Sequence, residues 1–102
     1  MANTKEPDHE DLGSLIELQD ALAALKNTEE VLAFTQDLCT PSEWRAMSER
    51  WRAVQLVQKE VPYRRICELT GVSTATVTRV ARALNEGTGY RALLTRLLRR
   101  RS

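Results

Sequence analysis

The run Ser73-Thr74-Ala75-Thr76-Val77-Thr78-Arg79-Val80-Ala81-Arg82 combines short hydroxyl- and methyl-bearing side chains with two guanidinium groups. If it is helical, Val77 and Val80, three residues apart, share an inward face. Thr74, Ala75, Thr76, Thr78, Arg79 and Arg82 are then left outward. Such a surface lets a helix sit close to base edges in a DNA major groove. Hydroxyls donate or accept there, methyl groups meet thymine, and arginines take guanine or phosphate in bidentate fashion. Threonine is a weak helix former, so three of them on an outward face run against local propensity. Departures of that kind tend to mark working surfaces.

A reading helix needs a second helix to hold it. Tyr63 to Thr70 supplies one, Gly71-Val72 a turn, and Ser73 a hydroxyl N-cap for the helix that follows. Two helices crossing near a right angle need a positive φ between them, which Gly71 adopts without the cost of about 1 to 2 kcal/mol that a Cβ brings. Close crossing also needs a small inner residue, and Cys67 can be that residue. Ile66, Leu69, Val72, Val77 and Val80 are expected to face the core. The unit is therefore read as a helix-turn-helix over Tyr63 to Arg82, with Tyr63, Arg64, Arg65 and Ser73 joining the outward residues in the DNA contact. The plainer alternative is a helical hairpin with a glycine corner and a solvated polar face, serving as an interaction adaptor without sequence-specific DNA binding.

Charge divides along the chain in the same sense. Residues 1–60 carry 6 Lys and Arg against 12 Asp and Glu, whereas residues 61–102 carry 9 against 2. All nine cations of the second part are arginines, which suit phosphate and guanine better than lysine does. A duplex is favoured over single-stranded RNA, because Tyr63 and Tyr90 are the basic part's only stacking aromatics.

Other functions find little support. The single histidine, His9, lies in a polar N-terminal stretch, and no carboxylate pair or nucleophile-base arrangement stands out, so no enzyme is expected. Cys39 and Cys67 match no metal-ligand spacing and read as reduced thiols; no metal or cofactor is expected. No apolar run approaches the roughly 18 to 20 residues of a membrane span, and Met1 to Gly13 does not resemble a signal peptide, so the expected location is the cytoplasm.

A chain of 102 residues supports one domain, read as a disordered acidic arm over 1–10 and a helical DNA-binding domain over 11–102. Leu12, Leu15, Ile16, Leu22 and Leu25 predict an amphipathic helix from about Asp11 to Lys26. Asn27, with Glu30 three residues on, opens a second helix through Leu38. Thr40-Pro41-Ser42-Glu43 opens a long third one, whose stripe of Trp44, Met47, Trp51, Val54 and Val57 is expected to form the spine of the core. Pro62 ends it. After the helix-turn-helix, Gly87 and Gly89 break the chain. A last helix carries Tyr90, Leu93, Leu94, Leu97 and Leu98 and ends in Arg99-Arg100-Arg101.

Leu69 to Arg79, the segment Glu49-Arg50-Trp51-Arg52-Ala53-Val54 and the six-helix layout resemble the Trp repressor superfamily. Ser73 to Val80, followed by Leu84-Asn85-Glu86-Gly87 and Gly89-Tyr90, is similar to the YerC/YecD-type Trp-repressor-related proteins. The resemblance implies an all-α, six-helix regulator that forms an intertwined homodimer on double-stranded DNA. It also implies an effector site, with Arg50 and Arg79 at the positions of the two arginines that hold the corepressor. Val80 stands where the repressor has glycine. An isopropyl group there is expected to obstruct tryptophan, leaving the identity and existence of any effector open.

Overall fold

The computed structural model describes residues 12–101, and among them six α-helices and no strand. They are α1 (Leu18–Ala23), α2 (Thr28–Leu38), α3 (Pro41–Gln58), α4 (Tyr63–Thr70), α5 (Thr74–Glu86) and α6 (Gly89–Arg101). The expected arm over 1–10 lies outside the described residues. Two compact units divide the chain, Met1–Leu38 and Cys39–Ser102.

Of the single helix expected from Asp11 to Lys26, Asp11 lies outside the described residues, and from Leu12 onward a turn followed by a short helix takes its place. Leu15 N–H closes a turn onto Leu12 O at 3.2 Å, and Glu17 is extended at φ −72°, ψ 155° before α1 begins. Gly13 and Ser14 explain the interruption, since both favour turns over helix interiors. α2 opens as expected at Asn27, whose Oδ1 accepts from Glu30 N–H at 2.9 Å. The return bond is displaced by one residue: Lys26 N–H, rather than that of Asn27, donates to Glu30 Oε1 at 2.9 Å.

The second unit is organised on α3. Its start is a complete capping box: Glu43 N–H donates to Thr40 Oγ1 at 3.1 Å, Thr40 N–H donates to Glu43 Oε1 at 2.8 Å, and Pro41 occupies the first turn. Its end is a Schellman closure. Val61 N–H reaches Leu56 O at 3.0 Å and Glu60 N–H reaches Val57 O at 2.9 Å, with Glu60 at φ 64° in the left-handed position that glycine usually takes.

Two core clusters flank α3. Ala53 packs with Ile66 of α4 and Val77 of α5, while Val54 packs with Val80 and Leu84 of α5 and Leu94 of α6. Neighbouring residues point about 100° apart on a helix, so Ala53 and Val54 can each serve a different partner. Burying Val54, Ile66 and Val77 fully stabilises the unit by roughly 1.5 to 3 kcal/mol each. The expected spine is thus corrected: Val54 is buried and Trp51 and Val57 pack against the clusters, but Trp44 and Met47 are 37% and 42% exposed. Every residue from Pro41 to Met47, the first two turns of α3, is exposed. Leu69 is likewise 50% exposed rather than inward, because on an eight-residue helix Ile66 and Thr70 already take the buried side.

Candidate nucleic-acid interface

α4 and α5 meet through a turn whose geometry follows from three residues. Gly71 is left-handed at φ 83°, and its N–H caps α4 on Cys67 O at 2.9 Å. Thr70, buried, donates its hydroxyl to Ile66 O at 2.7 Å and accepts from Val72 N–H at 3.3 Å. Ser73 then caps α5, its Oγ accepting from Thr76 N–H at 3.1 Å. Sequence reasoning anticipated Gly71 and Ser73 but not Thr70. The signal was a threonine four residues after a helical carbonyl, within reach of back-bonding.

Val77 and Val80 are buried, and the opposite side of α5 presents Thr74, Ala75, Thr78, Arg79 and Arg82 as exposed. Thr76 is half-buried, and its Oγ1 accepts from Ser73 Oγ at 3.0 Å, which leaves its own hydroxyl proton free to donate. The first turn of α5 therefore offers donors and methyl groups with little side-chain bulk around them. Ser73 is exposed beside them. At the start of α4, Tyr63, Arg64 and Arg65 are exposed as well. Arg65 Nη1 pairs with Glu68 Oε1 at 3.2 Å. Both side chains are mostly solvated, so the pair contributes at most about 1 kcal/mol and can yield to a phosphate.

Arg50 of α3 and Arg79 and Val80 of α5 come together around one shallow cavity of about 170 Å³. Thr76, Ala83 and Tyr90 complete its lining. Val80, 2% exposed, gives the cavity an apolar wall and also belongs to the cluster around Val54. Tyr90 is steadied by Trp51, ring centroids 6.2 Å apart and tilted by 42°. The sequence assigned Ala83 no role and placed Tyr90 on the apolar face of the last helix and among the stacking aromatics, not on a cavity. Their place on the cavity depends on how α6 folds back over α5, which no local spacing reveals.

α6 is held to α5 at their junction. Gly87 N–H donates to Ala83 O at 2.8 Å, and a Cβ on Gly87 would itself lie 2.8 Å from that oxygen, so the close approach requires glycine. Arg91 Nη2 donates to Leu84 O at 3.0 Å and Asn85 O at 2.9 Å, satisfying carbonyls at the end of α5. Among the described residues, no helix is long and apolar enough to cross a membrane. Among the described residues, no group of three His, Cys, Asp or Glu is placed to hold a metal.

Comparison with known proteins agrees with this arrangement. The family described as Trp repressor protein matches residues 13–98. Uncharacterized protein YerC of Bacillus subtilis strain 168 is 37% identical over 73 residues, which is 72% of this chain and 70% of that protein. The crystal structure of a TrpR-like protein from Eubacterium eligens superposes with a TM-score of 0.74 at 38% identity, covering 78% of this chain and 84% of the other. A Trp repressor candidate from Staphylococcus aureus gives a TM-score of 0.73 at 37% identity, covering 78% and 81%. With its helix-turn-helix, its all-helical fold and a match along residues 13–98, this chain belongs to the Trp repressor family.

Proposed function

We propose that this protein is a sequence-specific DNA-binding transcriptional regulator that works as a homodimer and enters the major groove with the N-terminal half of α5. The observation that carries the reading is the outward surface of α5. Thr74, Ala75, Thr78, Arg79 and Arg82 are exposed while Val77 and Val80 anchor the helix behind them. Thr74, Ala75 and Thr76 read base edges, Thr78, Arg79 and Arg82 border the groove, and Tyr63, Arg64, Arg65 and Ser73 position the motif on phosphates.

One short helix reads too few base pairs for useful specificity, and a two-fold axis doubles them. Exposed apolar residues support a second copy: Leu15, Ile16, Leu18, Leu22, Leu32 and Leu38 in the first unit, Trp44 and Met47 on α3. The cavity between Arg50 and Arg79 is the place for a small effector, and the Val80 side chain argues against tryptophan in it.

Selection of bound duplexes from random DNA, together with sedimentation, tests the reading. The expected result is a palindromic site with half-sites about one helical turn apart, bound by a dimer. A folded monomer at micromolar concentration overturns the dimer. Recovery of no preferred sequence favours the helical adaptor instead.

A further inference from the structure

We propose that α6 carries a second DNA-backbone contact outside the helix-turn-helix, formed by Arg96, Arg99, Arg100 and Arg101; the inference rests on the DNA-binding reading above. All four side chains are exposed, and among the described residues no carboxylate pairs with them. Arg91 differs, because its guanidinium is committed to the carbonyls of Leu84 and Asn85. Of the nine arginines in residues 61–102, these four are neither in the helix-turn-helix nor engaged in closing a helix end. A helix C-terminus favours cations within its last turn, which accounts for some of the cluster but not for Arg96.

Spacing and place give the cluster a direction. Arg96, Arg99 and Arg100 stand at i, i+3 and i+4 and share a face. From Arg96 to Arg101 the helix rises about 7.5 Å, roughly the axial span of two phosphates along one strand. Thr95 and Leu98 line a cavity of about 350 Å³ with Val57, Gln58 and Glu60, so the last turns of α6 lie beside the end of α3. Glu60 is four residues before Arg64, at the start of α4, where a helix-turn-helix meets the backbone. The end of α6 thus lies beside the chain that leads into α4, and from there the proposed contact lengthens the backbone footprint of the motif.

A lipid surface fits these residues less well. Leu94 is buried in the core, and Tyr90 and Leu97 are half-buried. The exposed leucines, Leu93 and Leu98, stand about 140° apart around the helix, so α6 offers no continuous apolar face to insert.

The test uses the full chain and a selected site placed in a short duplex and in one extended by flanking base pairs, over a series of salt concentrations. Wild type is compared with R96Q/R99Q/R100Q/R101Q and with the matching all-lysine variant, each checked for fold by circular dichroism. The glutamine variant is expected to flatten the slope of log K against log salt by about 2 to 4, at about 0.9 per phosphate lost, with the greater loss on the longer duplex. Its preferred base sequence is expected to match wild type, and the lysine variant to restore the slope. An unchanged slope in the glutamine variant, with wild type still binding, overturns this proposal alone. Loss of binding to phosphatidylglycerol vesicles with duplex affinity unchanged also overturns it, assigning the cluster to lipid. Failure of wild type to bind any duplex removes the helix-turn-helix reading and this proposal with it.

Discussion

Cys67 Sγ lies 3.8 Å from Thr74 Oγ1, across the crossing of α4 and the first turn of α5. The thiol is thus the spacer that sets how closely the two helices meet. Cys67→Phe is expected to destabilise the unit by about 1 to 3 kcal/mol through overpacking. It is also expected to weaken DNA binding beyond what the lost stability explains, whereas Cys67→Ala leaves binding close to wild type. Urea unfolding beside a mobility-shift titration checks both. Equal binding by the phenylalanine variant would mean the crossing does not govern the reading helix.

Gly71 owes its place to backbone conformation and not to crowding, since a Cβ there would meet nothing within 4 Å although φ is 83°. Gly71→Val is expected to cost at least about 1 to 2 kcal/mol and to tilt α5, so DNA binding fails before folding does. Gly71→Asn, tolerant of the left-handed region, is expected to retain more of both. Wild-type affinity in the valine variant would show that the turn is misplaced.

Glu60 presents the opposite case, a residue with a Cβ held at φ 64° in the Schellman closure of α3. Glu60→Gly is expected to stabilise the protein by up to about 1 to 2 kcal/mol, less what glycine loses through greater freedom in the unfolded chain. Thermal denaturation reads the outcome, and a lowered midpoint would contradict it.

Thr76 and Arg64 separate reading from positioning. With its oxygen accepting from Ser73, the Thr76 hydroxyl has a proton to give a base edge. Thr76→Ala is expected to change preference at one or two base pairs per half-site by roughly 1 to 3 kcal/mol. Arg64→Ala is expected to weaken all duplexes similarly and to flatten the salt dependence. A uniform loss from both variants would assign the reading face elsewhere.

Val80 walls the cavity between Arg50 and Arg79 while packed against Val54 and Leu84. Calorimetry with L-tryptophan is therefore expected to show no binding, and added tryptophan to leave operator affinity unchanged. Val80→Gly removes buried methyl groups and helix propensity, for an expected loss of about 2 kcal/mol or more, and opens a weak aromatic site beside Arg79 and Arg50. Tight tryptophan binding by the unaltered protein would return it to the corepressor-dependent class.

Local chemistry alone determined much of this protein. The Thr40-Pro41-Ser42-Glu43 box, the Gly71 turn and the Ser73 cap are short-range hydrogen-bonding and dihedral requirements, so the residues concerned announce them. The outward set on α5 followed equally from helical period, except Thr76, which is half-buried beside the cavity at Arg50 because it sits on the border between the two faces of the helix. Tertiary structure decided what periodicity cannot. The same apolar spacing fits both one continuous helix through Leu25 and the turn and short α1 that form from Leu12 onward, because turn-favouring Gly13 and Ser14 interrupt it. A stripe of equal hydrophobicity along α3 is buried at Val54 and open at Trp44 and Met47, since burial depends on which part of a helix its neighbours reach. Arg50 meets Arg79 and Val80 because α5 packs across α3, and Tyr90 joins them where α6 returns over α5. That return rests on Leu94 joining the cluster around Val54, a residue far back in the chain on α3, and no window of local sequence specifies such a pairing.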